Sequence, residues 1–265
     1  MGRMPNDDNS RGGISTRHDS PAAYSSDPPR ATDYDSFAEA YSALNEASLL
    51  NAYYERPATL ALAGDVAGRR VLDAGCGSGP LFASLRDRGA IVTGFDRSAG
   101  MLELARRRLG DDADLRVADL GGQLPFPDGA FDDVIASLVL HYLEDWTAPL
   151  AELRRVLRPG GRLIVSVDHP LQGHPLVRPG ADYWATFQYS VETAAPGGDS
   201  FTLTYWHRPL PAMISAFTTA GFRIAAIDEP LPAPDTPREL LPDFVQDKPS
   251  ASGFLCFMFF VLQAG

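Results

Sequence analysis

The chain has 265 residues, 45% of them hydrophobic, which is enough for one domain with a large buried core. Its net charge of −11 excludes a broad basic face for nucleic acid, and two cysteines exclude a disulfide framework. The longest apolar run, Phe254 to Leu262, is about half of the ~20 residues that a membrane helix needs, and no secretory signal is visible. We therefore expect a reduced, cytoplasmic protein with neither a membrane segment nor a nucleic-acid partner.

The beginning of the chain divides into a polar tail and a helical segment. Residues 1–32 are rich in Pro, Ser and Asp, and this composition predicts a disordered tail ahead of a domain over 33–265. From Tyr34 to Leu62 the apolar residues follow a helical spacing. Pro57 suits the first turn of a helix that ends at Gly64, so residues 34–64 are predicted to be helical.

From Arg70 onward, strand patterns alternate with helix patterns. The predicted strands are Val71–Ala74, Ile91–Phe95, Leu115–Ala118, Phe131–Ala136 and Arg162–Val167. The predicted helices are Leu81–Arg88, a helix capped by Ser98 that runs to Leu109, and one that ends at Pro159-Gly160-Gly161. This alternation predicts an α/β domain, doubly wound, with a parallel sheet between two layers of helices.

The alternation stops in residues 168–208. Seven large aromatic residues between Tyr183 and Trp206 are divided by the turn-forming run Ala194 to Asp199, which predicts an inserted β-hairpin. A helix over Leu210–Ala220 and strands at Phe222–Ile227 and Phe254–Leu262 complete the chain.

The run Val71 to Pro80 holds a glycine-rich turn directly after a strand. Gly75, Gly77 and Gly79 follow Asp73, and glycine lets backbone amides approach a ligand closely because it has no Cβ. In an open parallel sheet, ligands bind beyond the carboxyl ends of the strands. Asp96, Asp119 and Ser137 follow the next strands, and Asp96 is placed to accept hydrogen bonds from a ribose diol.

A dinucleotide site is the alternative interpretation of this turn. Its fingerprint requires a third glycine where this chain has Pro80, and Asp73 would repel a pyrophosphate. An acid before the glycines favours a nucleoside without phosphates that carries a positive end. S-adenosylmethionine has this chemistry.

Five motifs together carry a family resemblance: Val71–Gly79, Gly94-Phe95-Asp96, Ala118-Asp119-Leu120, Phe131–Tyr142 and Leu157–Leu163. In this set and order the sequence resembles the class I S-adenosylmethionine-dependent methyltransferases, in particular those that act on quinones and other small molecules. The resemblance extends over residues 34–168. It implies a Rossmann-like, seven-stranded, mostly parallel sheet whose last strand is antiparallel.

The resemblance also implies roles in binding S-adenosylmethionine. Asp73, with the Gly75 and Gly77 backbone, would hold the methionine moiety; Asp96 the ribose; Met101, Asp119 and Leu120 the adenine; and Ser137 would line the sulfonium. Cys76 and Arg97 complete this set. Tyr34 and Tyr41 would belong to an N-terminal segment that covers the cofactor, although Tyr41 is equally typical of an aromatic residue in helix packing.

Candidate residues for catalysis and substrate binding lie outside these motifs. His141, His169 and His207 could each act as a base near neutral pH, or could only orient a loop. For the substrate we expect contacts from Tyr142, Tyr183, Trp184 and Trp206. The aromatic insert is either a lid over a flat molecule or a core or dimer contact. No metal site is predicted.

The leading hypothesis is transfer of a methyl group to an O, N or C atom of a small apolar or aromatic metabolite, as in natural-product tailoring. Alternatives are a cyclase or isomerase that binds the cofactor, C-methylation coupled to cyclisation of a prenyl or terpenoid substrate, and a cofactor-sensing module. The N-terminal helices could cover the site of their own chain or of a second copy, so a homo-oligomer remains open.

Overall fold

A computed structural model describes residues 34–173, 180–194, 200–242 and 255–265; the predicted tail, residues 1–32, lies outside them. The described chain begins with four consecutive helical pieces. They are a 3-10 turn at Tyr34–Ser36, α1 at Ala38–Ala47, a π-helical segment at Leu49–Glu55 and α2 at Arg56–Ala63. Together they form the N-terminal segment.

A seven-stranded sheet forms the centre of the domain. Its strands are β1 (Arg70–Ala74), β2 (Ile91–Asp96), β3 (Asp114–Val117), β4 (Phe131–Ser137), β5 (Leu157–Asp168), β8 (Phe222–Asp228) and β9 (Phe257–Ala264). The order is β3-β2-β1-β4-β5-β9-β8, with β1 to β5 parallel and β9 antiparallel to both its neighbours. The predicted fold class is confirmed. The strand order reverses between β1 and β4, where the carboxyl ends of such a sheet leave a crevice.

Helices cover both faces of this sheet. The helices that follow the N-terminal segment are α3 (Pro80–Asp87), α4 (Ala99–Leu109), α5 (Thr147–Val156) and α6 (Leu210–Thr219). Because successive strand residues point to opposite faces, Val71 packs with α2, α3 and α4, whereas Leu72 packs with α5 and α6. Ser98 caps α4 as predicted, since its Oγ accepts a hydrogen bond from Met101 N at 3.0 Å.

The fifth strand is longer than its sequence pattern predicts. It begins at Leu157 rather than Arg162, because Phe131 pairs with Leu157 while Asp133 already pairs with Arg162. The residues between these pairs bulge out of the ladder. Gly161 permits this, since a Cβ there would lie 2.9 Å from the carbonyl oxygen of Arg158.

The aromatic insert forms the predicted hairpin, with β6 at Phe187–Ala194 and β7 at Ser200–His207 paired as a separate antiparallel sheet. Phe201 packs against the N-terminal segment, where its ring stacks on that of Phe37 with centroids 4.5 Å apart. Hairpin and N-terminal segment therefore form one continuous layer, here called the roof. In the described ranges, no helix has the length and apolar character required to cross a membrane.

Candidate functional site

A cavity of about 260 Å³ lies beneath the roof, at the carboxyl ends of the parallel strands. The strand ends, the N-terminal segment and the hairpin all contribute to its lining. Every residue predicted to bind the cofactor lines it: Tyr34, Tyr41, Asp73, Gly75, Cys76, Gly77, Asp96, Arg97, Met101, Asp119, Leu120 and Ser137. The cavity is thus the place where the predicted cofactor residues meet.

The glycine-rich turn is packed too closely for side chains. Gly75 has φ +75°, and a Cβ built on it would lie 2.7 Å from Cγ2 of Val139. Gly79 has φ +81° and would place a Cβ 2.8 Å from Cδ1 of Leu109. Only glycine satisfies both the left-handed backbone and the close approach. At Gly75 and Gly77, which both line the cavity, the turn therefore presents backbone without a side chain.

Asp73 is a buried carboxylate at the end of β1, 1% exposed. Its Oδ2 has no hydrogen-bond partner in the described part of the chain. Burial raises the pKa of Asp73 to about 8, and the negative charges of Glu55 and Asp96 add to the shift. An unpartnered buried acceptor surrounded by negative charge favours a ligand that is both cationic and a hydrogen-bond donor.

Asp96 and Asp119 continue the row of acids over the neighbouring strand ends. Asp96 accepts hydrogen bonds from the backbone amides of Gly77 and Ser98, each at 2.9 Å, yet burial still raises its pKa. Asp119 lines the cavity beyond β3, where its Oδ1 accepts a hydrogen bond from Gly121 N at 2.8 Å. Because strands β1, β2 and β3 are adjacent in the sheet, the three acids follow one another along one side of the cavity.

Glu55 is a cavity residue that the sequence pattern did not reveal. It ends the π-helical segment and is 4% exposed. Its Oε1 accepts hydrogen bonds from three hydroxyl groups: Thr59 at 2.7 Å, Ser137 at 2.7 Å and Ser166 at 2.6 Å. The apolar residues of this stretch are spaced as in an α-helix, so nothing in the sequence indicated that residue 55 faces the strand ends.

Further lining residues that sequence reasoning missed are Asn45, Asn51 and Arg56 from the N-terminal segment, and Gln188 and Thr204 from the hairpin. Arg56 follows Glu55 directly, and its Nη2 donates to both Asn45 O and Asn45 Oδ1, at 3.1 and 3.0 Å. Burial lowers the pKa of this guanidinium. These polar residues belong to no sequence motif, so only the folded structure shows that they line the cavity.

The N-terminal segment is attached to the domain by polar contacts beside the cavity. Asp35 Oδ1 accepts hydrogen bonds from Ser98 Oγ at 2.5 Å and from Gly100 N at 2.9 Å. The hydroxyl groups of Tyr34 and Tyr142 are hydrogen-bonded to each other. These contacts hold the segment over the cavity of its own chain.

Tyr41 packs in the roof and also lines the cavity, and its contact with the cofactor stays a prediction. Its side chain lines the cavity, and its ring meets that of Tyr34 edge to face, with centroids 4.9 Å apart. It also contacts Phe201 of the hairpin, with centroids 6.2 Å apart. It is therefore a packing residue of the roof that is at the same time exposed to the cavity.

None of the three candidate histidines lines the cavity, but His141 contacts a residue that does. Its ring contacts that of Tyr142, a lining residue, with centroids 4.7 Å apart. Nδ1 accepts a hydrogen bond from Asp168 N at 3.1 Å, so Nε2 carries the proton of the neutral ring. That Nε2 has no partner among the described residues, and burial lowers the pKa of His141 despite the nearby Asp168.

His169 and His207 connect loops. His169 Nδ1 accepts a hydrogen bond from Leu171 N at 3.1 Å, and its Nε2 lies 2.9 Å from Glu229 Oε1. His207 Nε2 lies 2.9 Å from the carbonyl oxygen of Tyr183. These contacts are typical of residues that orient loops, and the role of either histidine as a base stays a prediction.

The predicted substrate residues divide into two groups. Tyr142 and Trp206 line the cavity. Tyr183 and Trp184 precede the hairpin and are absent from the lining; Trp184 is 71% exposed. The carbonyl oxygen of Tyr183 is hydrogen-bonded to His207, and its hydroxyl group accepts a hydrogen bond from Leu210 N. These bonds instead hold the segment before the hairpin against the end of β7.

Comparison with known proteins agrees with this geometry. A family profile described as a methyltransferase domain matches residues 72–165. A demethylmenaquinone methyltransferase of Clavibacter sepedonicus is 35% identical over 193 residues, which cover 66% of this chain and 78% of the relative. The chain belongs to the class I S-adenosylmethionine-dependent methyltransferases. The family resemblance of the sequence is thereby confirmed, as is S-adenosylmethionine as the cofactor.

The chain is also similar to a second named methyltransferase and to a methyltransferase of known structure. A malonyl-[acyl-carrier protein] O-methyltransferase of Serratia marcescens is 44% identical over 99 residues, 37% of this chain and 38% of that relative. The crystal structure of an S-adenosylmethionine-dependent methyltransferase from Mesorhizobium loti is 27% identical, with a TM-score of 0.59, and covers 78% of this chain and 96% of its own. The two named relatives therefore differ in the acceptor that their names give.

Proposed function

We propose that this methyltransferase acts on an O, N or C atom of a small, neutral, aromatic metabolite. The observation that supports this proposal is the chemical character of the lining residues that do not belong to the cofactor motifs. The hairpin and the turn after β4 contribute Tyr142, Leu143, Gln188, Thr204 and Trp206 to the lining, which are aromatic, aliphatic, hydroxyl and amide groups without a charge. Rings and apolar walls with a few polar groups suit a flat acceptor that makes a few directed hydrogen bonds.

The cofactor would extend along the strand ends. Asp96 would accept hydrogen bonds from the ribose hydroxyls, and Asp119 would accept from the adenine amino group, with the Leu120 amide beside it. Met101, 3% exposed, would pack on the adenine ring. Asp73 would accept from the methionine end. In support of this order, Asp119 follows β3, Asp96 ends β2 and Asp73 lies near the end of β1, and these three strands are neighbours in the sheet.

The residues of this chain would act by positioning and by excluding water. When bound, S-adenosylmethionine supplies an electrophilic methyl carbon on its sulfonium. Trp206 and Tyr142 would hold the acceptor ring in line with that carbon, and Gln188 and Thr204 would orient its polar groups. We propose that residues 34–64 serve as the cofactor cover and the 168–208 insert as the substrate lid, since the N-terminal segment and the hairpin of that insert form the roof.

The acceptors named for the two relatives give contrasting expectations. Demethylmenaquinone presents a quinone ring, whereas malonyl carrier protein presents a carboxylate. A carboxylate would need a cation beside it, and the five lining residues from the hairpin and the turn after β4 carry no positive charge. The uncharged aromatic lining therefore favours a ring, as found in quinone and natural-product chemistry.

The test is methyl transfer from cofactor labelled in its methyl group. The acceptors are a demethylmenaquinol with a shortened side chain, phenols, catechols, nitrogen heterocycles and a malonyl thioester. We expect S-adenosylhomocysteine and a labelled product with at least one ring acceptor. Trp206→Ala should raise the KM for that acceptor at least tenfold while leaving the Kd of the cofactor unchanged. Trp184→Ala, a change at an exposed tryptophan outside the cavity, is the matched control. Turnover of the malonyl thioester alone would contradict the proposal.

A further inference from the structure

A second pocket lies at the amino end of the parallel strands, opposite to the cavity beneath the roof. It is an open pocket of about 400 Å³. Arg69, which precedes β1, lines it together with Arg158 and Arg162 from the first residues of β5. Asp65 and Gly160 also line it, and no residue of this pocket lines the cavity. The pocket therefore presents three guanidinium groups at a place that the proposed reaction does not use.

The buried carboxylate of Asp133 fixes two of these arginines. Arg162 donates to its two oxygens from Nε at 2.7 Å and from Nη2 at 2.8 Å, and Arg69 donates to the same two oxygens through its own Nε and Nη2. Nη2 of Arg162 also donates to Ala63 O at 3.0 Å. Two bonds from one side of a planar guanidinium set its orientation. In both arginines the Nη1 group has no hydrogen-bond acceptor among the described residues.

Arg158 brings the third guanidinium from the bulge at the start of β5. Its Nε lies 2.7 Å from Asp132 Oδ1, and neither of its Nη groups is hydrogen-bonded to a residue that the structure describes. Because the bulge takes Arg158 out of the strand ladder, its side chain reaches the same pocket as that of Arg162. All three arginines therefore retain N–H donors that the protein does not use.

The arginines around this pocket outnumber the acids. Asp132 and Asp133 each form ion pairs with two arginines, and the second partner of Asp132 is Arg70. Even with Asp65, three carboxylates stand against four guanidinium groups, in a chain whose net charge is −11. Positive charges that are held close together repel each other, and a bound anion offsets this repulsion. The local charge therefore favours an anion.

The arrangement of the donors favours a phosphate group over a carboxylate. A carboxylate has two oxygens in one plane, and a single guanidinium satisfies both in a bidentate pair. A phosphate group has at least three acceptor oxygens in a tetrahedral arrangement and a charge of about −2. It accepts hydrogen bonds from guanidinium groups that approach from different directions. Three arginines from two segments of the chain match this geometry.

We propose that Arg69, Arg158 and Arg162 form a phosphate-binding site, either for inorganic phosphate or for the phosphate group of a small phosphomonoester. The site is separate from the methyltransferase cavity, and the inference does not depend on the function proposed above. A phosphate in this pocket lies beside the end of the N-terminal segment, because Arg162 also contacts Ala63, the last residue of α2.

Calorimetry on the full-length chain tests this site. The chain is first saturated with S-adenosylhomocysteine, which occupies the cavity beneath the roof. Inorganic phosphate, glycerol 3-phosphate and acetate are then titrated at about 150 mM salt, which screens weak surface attraction. We expect saturable binding of phosphate with a Kd of about 1 mM or tighter, and acetate should bind about tenfold more weakly or not at all. Tighter binding of glycerol 3-phosphate identifies a phosphomonoester as the ligand, and tighter binding of inorganic phosphate identifies the free ion.

Two arginines of similar exposure provide a matched pair of variants. The side chain of Arg158 is 46% exposed and that of Arg70 is 49% exposed, and both pair with Asp132 Oδ1. Of the two, only Arg158 lines the pocket. Arg158→Gln should therefore weaken phosphate binding about 10- to 100-fold, the range for hydrogen bonds to charged groups, whereas Arg70→Gln should weaken it less than about threefold.

Folding of the variants is checked by their melting temperature and by their Kd for S-adenosylhomocysteine, which should both match the wild type. Where Arg158→Gln does not fold, Arg158→Lys retains the charge but loses the planar fork, and it should bind phosphate with an affinity below that of the wild type. Three results would overturn the inference. They are no saturable binding of either phosphate ligand, acetate binding as tight as that of phosphate, and equal losses for the variants at positions 158 and 70.

Discussion

Binding of S-adenosylmethionine should release a proton from Asp73 near neutral pH. Because the pKa of Asp73 is raised to about 8, its carboxyl group is mostly protonated in the empty site at pH 7. A cationic ammonium requires the ionised form, so binding must first remove that proton. The affinity for the cofactor should therefore increase as the pH rises towards 8.

The size of this effect follows from the pKa. One pH unit below the pKa, ionising the group costs about 1.4 kcal/mol, so the Kd at pH 7 should be roughly tenfold higher than above pH 8.5. Calorimetry in two buffers of different ionisation enthalpy gives the number of protons released directly. We expect about one proton at pH 6.5 and a small fraction at pH 8.5.

Two controls decide whether Asp73 is the source. Asp73→Asn should abolish both the proton release and the pH dependence, at the cost of weaker binding. In the wild type, 5′-methylthioadenosine should release no proton because it has no ammonium. A Kd for S-adenosylmethionine that stays constant from pH 6.5 to 8.5, with no proton release, would refute the reasoning.

Three further predictions concern the framework of the site. Gly75→Ala should lower the affinity for the cofactor at least tenfold, because the new Cβ collides with Val139. The control is Gly68→Ala, which is also at positive φ but in open space. It should lower the free energy of unfolding by only about 1 kcal/mol and leave the Kd of the cofactor unchanged. Asp133→Ala should lower the free energy of unfolding by about 3 kcal/mol in urea titrations, since it leaves two arginines of a partly buried ion-pair cluster without their acid. The arginines hold the pKa of Asp133 below its usual range against the opposing effect of burial, so its contribution is present at neutral pH and is lost on acidification through that lowered pKa. Phe201→Ala should accelerate cofactor release in stopped-flow measurements, because it removes the stacking of the hairpin on Phe37; an unchanged rate would separate the hairpin from closure of the site.

The cofactor side of the cavity was predictable because its signals are local. A strand that ends in Asp73 and continues into glycines specifies both the acid and the bare backbone within a few residues. Parallel strands then bring Asp96 and Asp119 to the same edge without further information, since their carboxyl ends must align. For this reason every predicted cofactor residue lines the cavity.

The acceptor side was not predictable to the same degree. The pattern identified the aromatic hairpin but not which of its residues face inward. Trp206 faces the cavity and Trp184 faces solvent, although both are tryptophans of the same insert. The contacts of the histidines were not predictable either. His169 contacts Glu229, which lies far from it in the sequence, and no local pattern indicates that contact.

The sequence by itself determined the fold class, the family and the cofactor, because periodicity, glycine turns and strand-end acids are properties of short stretches of chain. Only the tertiary structure decided the role of Glu55, which depends on hydroxyl groups from two strands that lie much later in the chain. The tertiary structure also united the N-terminal segment and the hairpin in one roof. The physical reason is that the role of a buried charge depends on the groups that surround it in space. Those groups are brought together only when the sheet has formed.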